Sequence, residues 1–164
     1  MSTSAHLTDA FETALSRFPS SGLIHSPTPL QPLKRLTAHL GGPNIWVKRD
    51  DATHISSGGN KMRKLDRVVT EAITQGCDTL VSGGVAQSNS QRQVATAAAM
   101  LGLECHLAVY QGRVEAPSDD YDVSGNVILN RLFGAHQHSV TWEGHRNQAI
   151  DALSEKLKAE GKKP

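Results

Sequence analysis

The chain is poor in aromatic residues, at 4% of 164, and holds 2 cysteines, Cys77 and Cys105. So few rings mean that the core is built from Leu, Val, Ile and Ala. A disulfide framework is excluded as the basis of the fold, and the thiols read as packed small hydrophobes in a reducing, cytoplasmic setting. Charge of one sign is lacking too: 17 Lys and Arg stand against 16 Asp and Glu. That balance argues against a nucleic-acid partner, whose footprint is clustered positive charge. No apolar run is long enough to span a bilayer, which argues against a membrane partner. Met1-Ser2-Thr3-Ser4-Ala5-His6 has neither the basic nor the apolar part of a secretory signal. A chain of this length buries a core without metal or disulfide staples.

What is present is a rhythm of helices, glycines and short strands. A helical pattern over 61–75 places Leu65, Val68, Val69, Ala72 and Ile73 on one face, stops at Gly76, and leads into a strand over 77–82. An alanine-rich helix over 88–101 stops at Gly102 before a strand over 104–109. A third helix over 122–133 stops at Gly134 before a strand over 136–140. A fourth over 145–160 carries Ile150, Leu153 and Leu157 and stops at Gly161. Glycine just past each helix end is the left-handed C-cap signature. Helices alternating with short strands predict an α/β fold, a parallel sheet with helices on both faces. Residues 1–55 read differently. Pro27, Pro29 and Pro32 make an extended, turn-rich stretch, followed by a strand-like alternation over 44–50. They are expected to form an N-terminal arm belonging to a neighbouring larger domain, with 56–164 as a small α/β domain. The last helix has no strand after it, so the chain reads as part of something longer.

Two glycine-led helix starts hold the chemistry. In Ser56-Ser57-Gly58-Gly59-Asn60-Lys61-Met62-Arg63-Lys64, the glycines permit a tight turn and Asn60 is placed to N-cap a helix starting at Lys61. Lys61 would then sit at the positive helix end beside Arg63, Lys64 and Arg67. Neighbouring cations favour the neutral amine, the form that attacks an aldehyde. A solvated basic first turn accounts for the same spacing. In Ser82-Gly83-Gly84-Val85-Ala86-Gln87-Ser88-Asn89-Ser90, a strand turns into a helix whose free N–H groups would receive an anion, with Ser88, Asn89 and Ser90 as side-chain donors. Ordinary N-capping by Ser88 or Asn89 reads the same residues equally well. This second loop has the spacing of neither a Walker nor a dinucleotide motif. A Ser88-lysine pairing of hydrolase type fits less well, given the Asn that follows and the Gly-Gly-Asn-Lys context. His136 and His138, with His145 nearby, place imidazoles as a zinc site would, but no cysteine or carboxylate completes the set in sequence, so no metal is expected. The basic residues Lys156, Lys158, Lys162 and Lys163 read as the solvated face of the last helix.

Together the loops resemble a family. Gly58-Gly59-Asn60-Lys61-x-Arg63-Lys64-Leu65 and Gly83-Gly84-x-x-Gln87-Ser88-Asn89-x-x-Arg92-Gln93 are similar to motifs of 1-aminocyclopropane-1-carboxylate deaminase and D-cysteine desulfhydrase, fold-type II pyridoxal-phosphate enzymes. So are Pro27-Thr28-Pro29-Leu30-Gln31-Pro32-Leu33 and Lys48-Arg49-Asp50-Asp51. Tyr121-Asp122-x-x-Gly125-Asn126-x-x-Leu129-x-Arg131-x-x-Gly134-Ala135 leans towards the deaminase branch. Two features depart from that branch: the stretch between Asp51 and Gly58 is shorter, and Tyr110-Gln111-Gly112-Arg113 stands where it carries a tryptophan.

The resemblance implies pyridoxal 5'-phosphate as cofactor and a small amino acid as substrate. It implies that Lys61 bonds covalently to the cofactor and that Asn89 hydrogen-bonds its 3-hydroxyl. Ser88, with the N–H groups of Asn89 and Ser90, would hold the substrate carboxylate, and Lys64 and Asn60 would lie on the cofactor side. The implied reaction converts 1-aminocyclopropane-1-carboxylate to 2-oxobutanoate and ammonia, with D-cysteine desulfhydration as the alternative. Family chains are implied to be roughly twice this length, with a glycine/threonine-rich phosphate loop in the part beyond residue 164. A catalytically silent small domain, serving at most as a binding module, is the remaining reading. The surface where a larger domain would dock predicts homo-oligomers or poor solubility.

Overall fold

A computed structural model describes residues 3–115 and 118–164; Met1 and Ser2 of the leader reading lie outside the described residues. The chain runs α1 (Thr3–Ser16), β1 (Leu30–Pro32), α2 (Lys34–Leu40), β2 (Trp46–Lys48), a 3-10 turn (Asp50–Ala52), α3 (Lys61–Thr74), β3 (Thr79–Gly84), α4 (Asn89–Leu101), β4 (Glu104–Gln111), α5 (Asn126–Leu132), β5 (His136–Thr141) and α6 (Arg146–Ala159). Strands β3, β4 and β5 form a parallel sheet in that order, β4 in the centre. The α/β architecture read from the helix–glycine–strand rhythm is what the chain adopts. Gly76, Gly102, Gly134 and Gly161 all have φ between 69° and 85°, the left-handed turn that glycine enters without a Cβ penalty.

Helices cover both faces because the central strand is buried on both. Cys105, Leu107 and Val109 of β4 join Met62, Leu65 and Val69 of α3 and Val94, Ala95, Ala97 and Ala98 of α4 in the larger core. The alternate residues Ala108 and Tyr110 pack on Leu153 and Leu157 of α6. Small alanines on α4 let that helix lie close to β3 and β4, which offsets the shortage of rings.

Several elements differ from the sequence expectation. The buried stripe of α3 is Met62, Leu65, Asp66 and Val69; Val68, expected on that face, is exposed because it flanks the stripe, and Ile73, on the same face, is exposed because it lies in the last turn, past the last buried position. β3 begins at Thr79, so Cys77 precedes it. The third helix starts only at Asn126, since Gly125 has φ 52°, ψ −121° and breaks the helical path before it. The N-terminal 55 residues are not wholly extended: they contain α1, α2 and an antiparallel β1–β2 pair with Leu30 opposite Lys48. The expected strand over 44–50 shortens to Trp46–Lys48.

One stretch of the arm is fastened to the sheet domain. Leu23 is 1% exposed inside the larger core. Above it the buried Asp66 carboxylate accepts the Ser20 hydroxyl at 2.6 Å and the Leu23 N–H at 2.8 Å. The rest of the arm leaves Leu30, Leu36, Leu40 and Trp46 exposed. Among the described residues, no helix is long and apolar enough to cross a membrane.

Candidate active site

α3 leads into β3 and α4 leaves it, so the N-termini of both helices lie at the C-terminal edge of the sheet. In open α/β sheets this edge is where ligands bind. Lys61 is the first residue of α3, and its ammonium donates to Asn60 Oδ1 at 2.9 Å. Asn60 therefore stands at the cap position without capping: its backbone is helical, and its side chain meets Lys61 instead. The orphan N–H of Met62 is taken by Gln93 Oε1 of α4, at 2.7 Å.

The turn before Lys61 is under backbone strain. His54, Ser56 and Ser57 have φ of 58°, 49° and 60°, and Gly58 and Gly59 follow at 72° and 129°. Non-glycine residues there cost about 1–2 kcal/mol each. Glycine is required at Gly58 on packing grounds as well, while at Gly59 a side chain would have to displace the end of Gln93. A Cβ at Gly58 would lie 1.8 Å from the Asp51 carbonyl oxygen, and one at Gly59 would lie 2.3 Å from Gln93 Nε2. The Gly59 N–H donates to Asp50 O at 2.8 Å, fixing the turn against the arm.

The cations expected to act on Lys61 are directed elsewhere. Arg63 pairs with Asp50 at 2.6 Å and donates to the Thr28 hydroxyl. The hydrogen bond from Arg63 holds the Asp50 carboxyl below its ordinary range, and Asp50 raises the guanidinium in return. Arg67 donates to Phe18 O and lies 3.8 Å from Asp66. Their charges are met by carboxylates, because those carboxylates anchor the arm. Lys64 is exposed on the same turn.

The second loop is built as expected at Ser88 and better tied than the sequence suggests. Ser88 is the N-cap of α4, its hydroxyl accepting the Gln91 N–H at 3.3 Å. Its carbonyl accepts the Arg92 N–H. The N–H groups of Asn89 and Ser90 belong to the first helical turn, where no carbonyl of the helix reaches them. Gln87 clasps the segment before α5: its Nε2 donates to Tyr121 O and Ser124 O, and its Oε1 accepts the Asn126 N–H at 2.9 Å.

Arg92 joins the two loops. Its guanidinium donates to Ser56 Oγ at 3.1 Å, Gly58 O at 3.2 Å and Asn89 Oδ1 at 3.3 Å. The residue is 5% exposed, and burial pushes its pKa down. A guanidinium only donates, so the atom facing it on Asn89 is the oxygen. Asn126 Nδ2 also donates to that oxygen, at 3.0 Å. Asn89 is thus held with its NH₂ group left for a ligand. This fits the 3-oxygen of a pyridoxal ring, which accepts a hydrogen bond. Sequence reasoning singled out Ser88, Asn89 and Lys61 but gave no role to Arg92, Gln93, Gln87 or Asn126. Their presence inside the quoted motifs was the available signal.

A model of the family described as pyridoxal-phosphate dependent enzyme matches residues 23–164. D-cysteine desulfhydrase of Klebsiella pneumoniae (strain 342) is 39% identical over 150 residues, 92% of this chain and 45% of its own length. The crystal structure of an ACC deaminase homologue superposes with a TM-score of 0.78 at 29% identity, over 93% of this chain and 45% of that one. A hydrogen sulfide-producing enzyme of Fusobacterium nucleatum shares the fold, with a TM-score of 0.60 at 17% identity over 87% and 45% of the two chains. The chain spans less than half the length of these relatives. A family match over most of the sequence, together with a lysine and an asparagine held at adjoining helix starts, shows that this chain belongs to the pyridoxal-phosphate dependent enzymes.

Proposed function

We propose that this chain is the small domain, with its N-terminal arm, of a pyridoxal-phosphate-dependent lyase acting on a small amino acid. The observation that carries the reading is the Arg92 bridge, which fixes the turn before Lys61 against Asn89. Of the two substrates implied by the family motifs, D-cysteine is favoured over 1-aminocyclopropane-1-carboxylate, because the desulfhydrase is 39% identical over 92% of this chain. Structural likeness to an ACC deaminase homologue keeps deamination as the second reading.

Bound pyridoxal phosphate would supply an electron sink for charge developing on the amino acid. The chain's own residues bind and orient. Lys61 would offer its ε-amine for a covalent bond to the cofactor aldehyde, with Asn60 Oδ1 steering that amine. Asn89 would donate its amide to the ring's 3-oxygen. Ser88 and the N–H groups of Asn89 and Ser90 would receive the substrate carboxylate at the positive end of α4. Lys64, in the first turn of α3, would offer charge towards the phosphate. Residues 1–55 would belong to the larger domain in the longer relatives; the exposed Leu30, Leu36, Leu40 and Trp46 support that reading, and the same patch supports self-association of this chain.

The test is the intact mass of the purified chain after pyridoxal phosphate and borohydride treatment. One adduct per chain, lost in Lys61→Ala and much reduced in Arg92→Lys, is the expected result; Lys keeps the charge of Arg92 without its fork of donors. Hydrogen sulfide from D-cysteine is then measured against 2-oxobutanoate from 1-aminocyclopropane-1-carboxylate. Scattered labelling, or none, would establish the silent-module reading instead.

A further inference from the structure

At the opposite edge of the sheet, the start of β4 and the start of β5 bring together groups that no cofactor chemistry employs. His106 is the register partner of His136, and Ala108 of His138. Glu104, two residues before His106, therefore projects from the same sheet face, the one covered by α6. His106 Nε2 lies 3.0 Å from Glu104 Oε1, and His136 Nε2 lies 3.7 Å from that same oxygen. The His106 and His136 rings stack with centroids 4.7 Å apart. One ligand atom from each of Glu104, His106 and His136 lies within 4.8 Å of the others.

We propose that Glu104, His106 and His136 form a binding site for a divalent transition-metal ion of the zinc class. Zinc takes imidazole nitrogen and carboxylate oxygen at about 2.0–2.2 Å. Ligand atoms around such an ion stand roughly 3–3.6 Å apart by simple geometry, so the present spacings need only a small closure of the exposed His136 ring. Two imidazoles and a carboxylate leave a further position for water or another donor. Softer, thiolate-demanding ions are disfavoured by this donor set, and oxygen-seeking magnesium or calcium by its nitrogens.

The surroundings are those of a supported site. His106 is 7% exposed, so its ring is held in place by packing. Its other nitrogen, Nδ1, lies 2.9 Å from His138 Nε2, the kind of outer partner that orients a metal-bound imidazole. Lys162 donates to Glu104 Oε2 and leaves Oε1 facing the histidines. The Lys162 charge opposes a cation, but its contact also fixes the carboxylate rotamer. The sequence reading considered His136, His138 and His145 and found no carboxylate to complete them. The carboxylate comes from the neighbouring strand, so it was out of view in a linear pattern. Among those three, His136 is a ligand and His138 an outer partner in this arrangement.

The test needs no cofactor. Untagged, chelator-treated chain is titrated with zinc by calorimetry and by competition with a chromophoric chelator. One saturable ion per chain is expected, weakened at least tenfold in His136→Ala, whose side chain is exposed and whose melting temperature should match the unsubstituted chain. His138→Asn should weaken it by about 10–100-fold, the usual effect of losing an outer partner. No saturable uptake overturns the proposal. So does equal affinity in the unsubstituted chain and His136→Ala, since the ion would then sit elsewhere.

Discussion

The N–H of Met62 donates to Gln93 Oε1 at 2.7 Å, so the helix that begins with Lys61 is capped by its neighbour and not by its own Asn60. Gln93 is 1% exposed. Gln93→Ala leaves a buried N–H without a partner, which costs about 1–3 kcal/mol. Thermal unfolding followed by circular dichroism should show a midpoint roughly 2–12 °C lower. An unchanged midpoint would mean that water or another group caps Met62.

Gly58 and Gly76 have almost the same φ, 72° and 74°, but different surroundings. A Cβ at Gly76 meets nothing within 4 Å, whereas one at Gly58 runs into the Asp51 backbone. Gly76→Ala should cost only the left-handed penalty, about 1–2 kcal/mol. Gly58→Ala adds overpacking against backbone and should cost about 3 kcal/mol or more. Urea unfolding of the pair checks this; equal losses would show that the turn yields freely.

The Arg63–Asp50 pair gives a pH-dependent contribution with a definite sign. Hydrogen bonding to Arg63 lowers the folded-state pKa of Asp50. Its stabilisation is therefore present above the ordinary aspartate range and disappears as pH falls through the lowered folded value. The difference in urea midpoint between the unsubstituted chain and Asp50→Asn should be constant from pH 7 to pH 5 and shrink progressively once pH falls below the ordinary aspartate range. A gap that does not shrink at all below that range would contradict the pairing.

Burial pushes the Cys105 thiol up to about 12, whereas Cys77 lies partly exposed at the turn before β3. Alkylation at pH 8 should modify Cys77 alone and reach Cys105 only in denaturant. Peptide mass mapping of the treated chain distinguishes the two. Prompt labelling of Cys105 in the folded chain would show that β4 opens readily.

Much of this was legible from the residues because parallel α/β units repeat a local code. Apolar periodicity named the helices, and Gly76, Gly102, Gly134 and Gly161 marked their ends because each needs a left-handed turn. The two loops were legible as helix starts, and Ser88 as a cap. What escaped was long-range. Leu23 joins a core whose other buried members begin at Met62 and run to Ala135, and is held there through Asp66; nothing in its own neighbourhood signals that. Arg92 and Gln93 act on a turn more than thirty residues away. Helix α1 and the late start of α5 were missed because the first lies outside the helix–strand rhythm and the second depends on one glycine's backbone angles.

A parallel sheet has two unlike ends, and this chain puts one cluster of chemistry at each. The eight residues of β4 rise about 3.3 Å apiece, so Glu104 at one end stands on the order of 20 Å from Gln111 at the other. Substitutions that far apart with no shared partner are usually additive. The sheet therefore acts as an insulator: a substitution at the lysine end is expected to leave the histidine end unchanged, and the reverse.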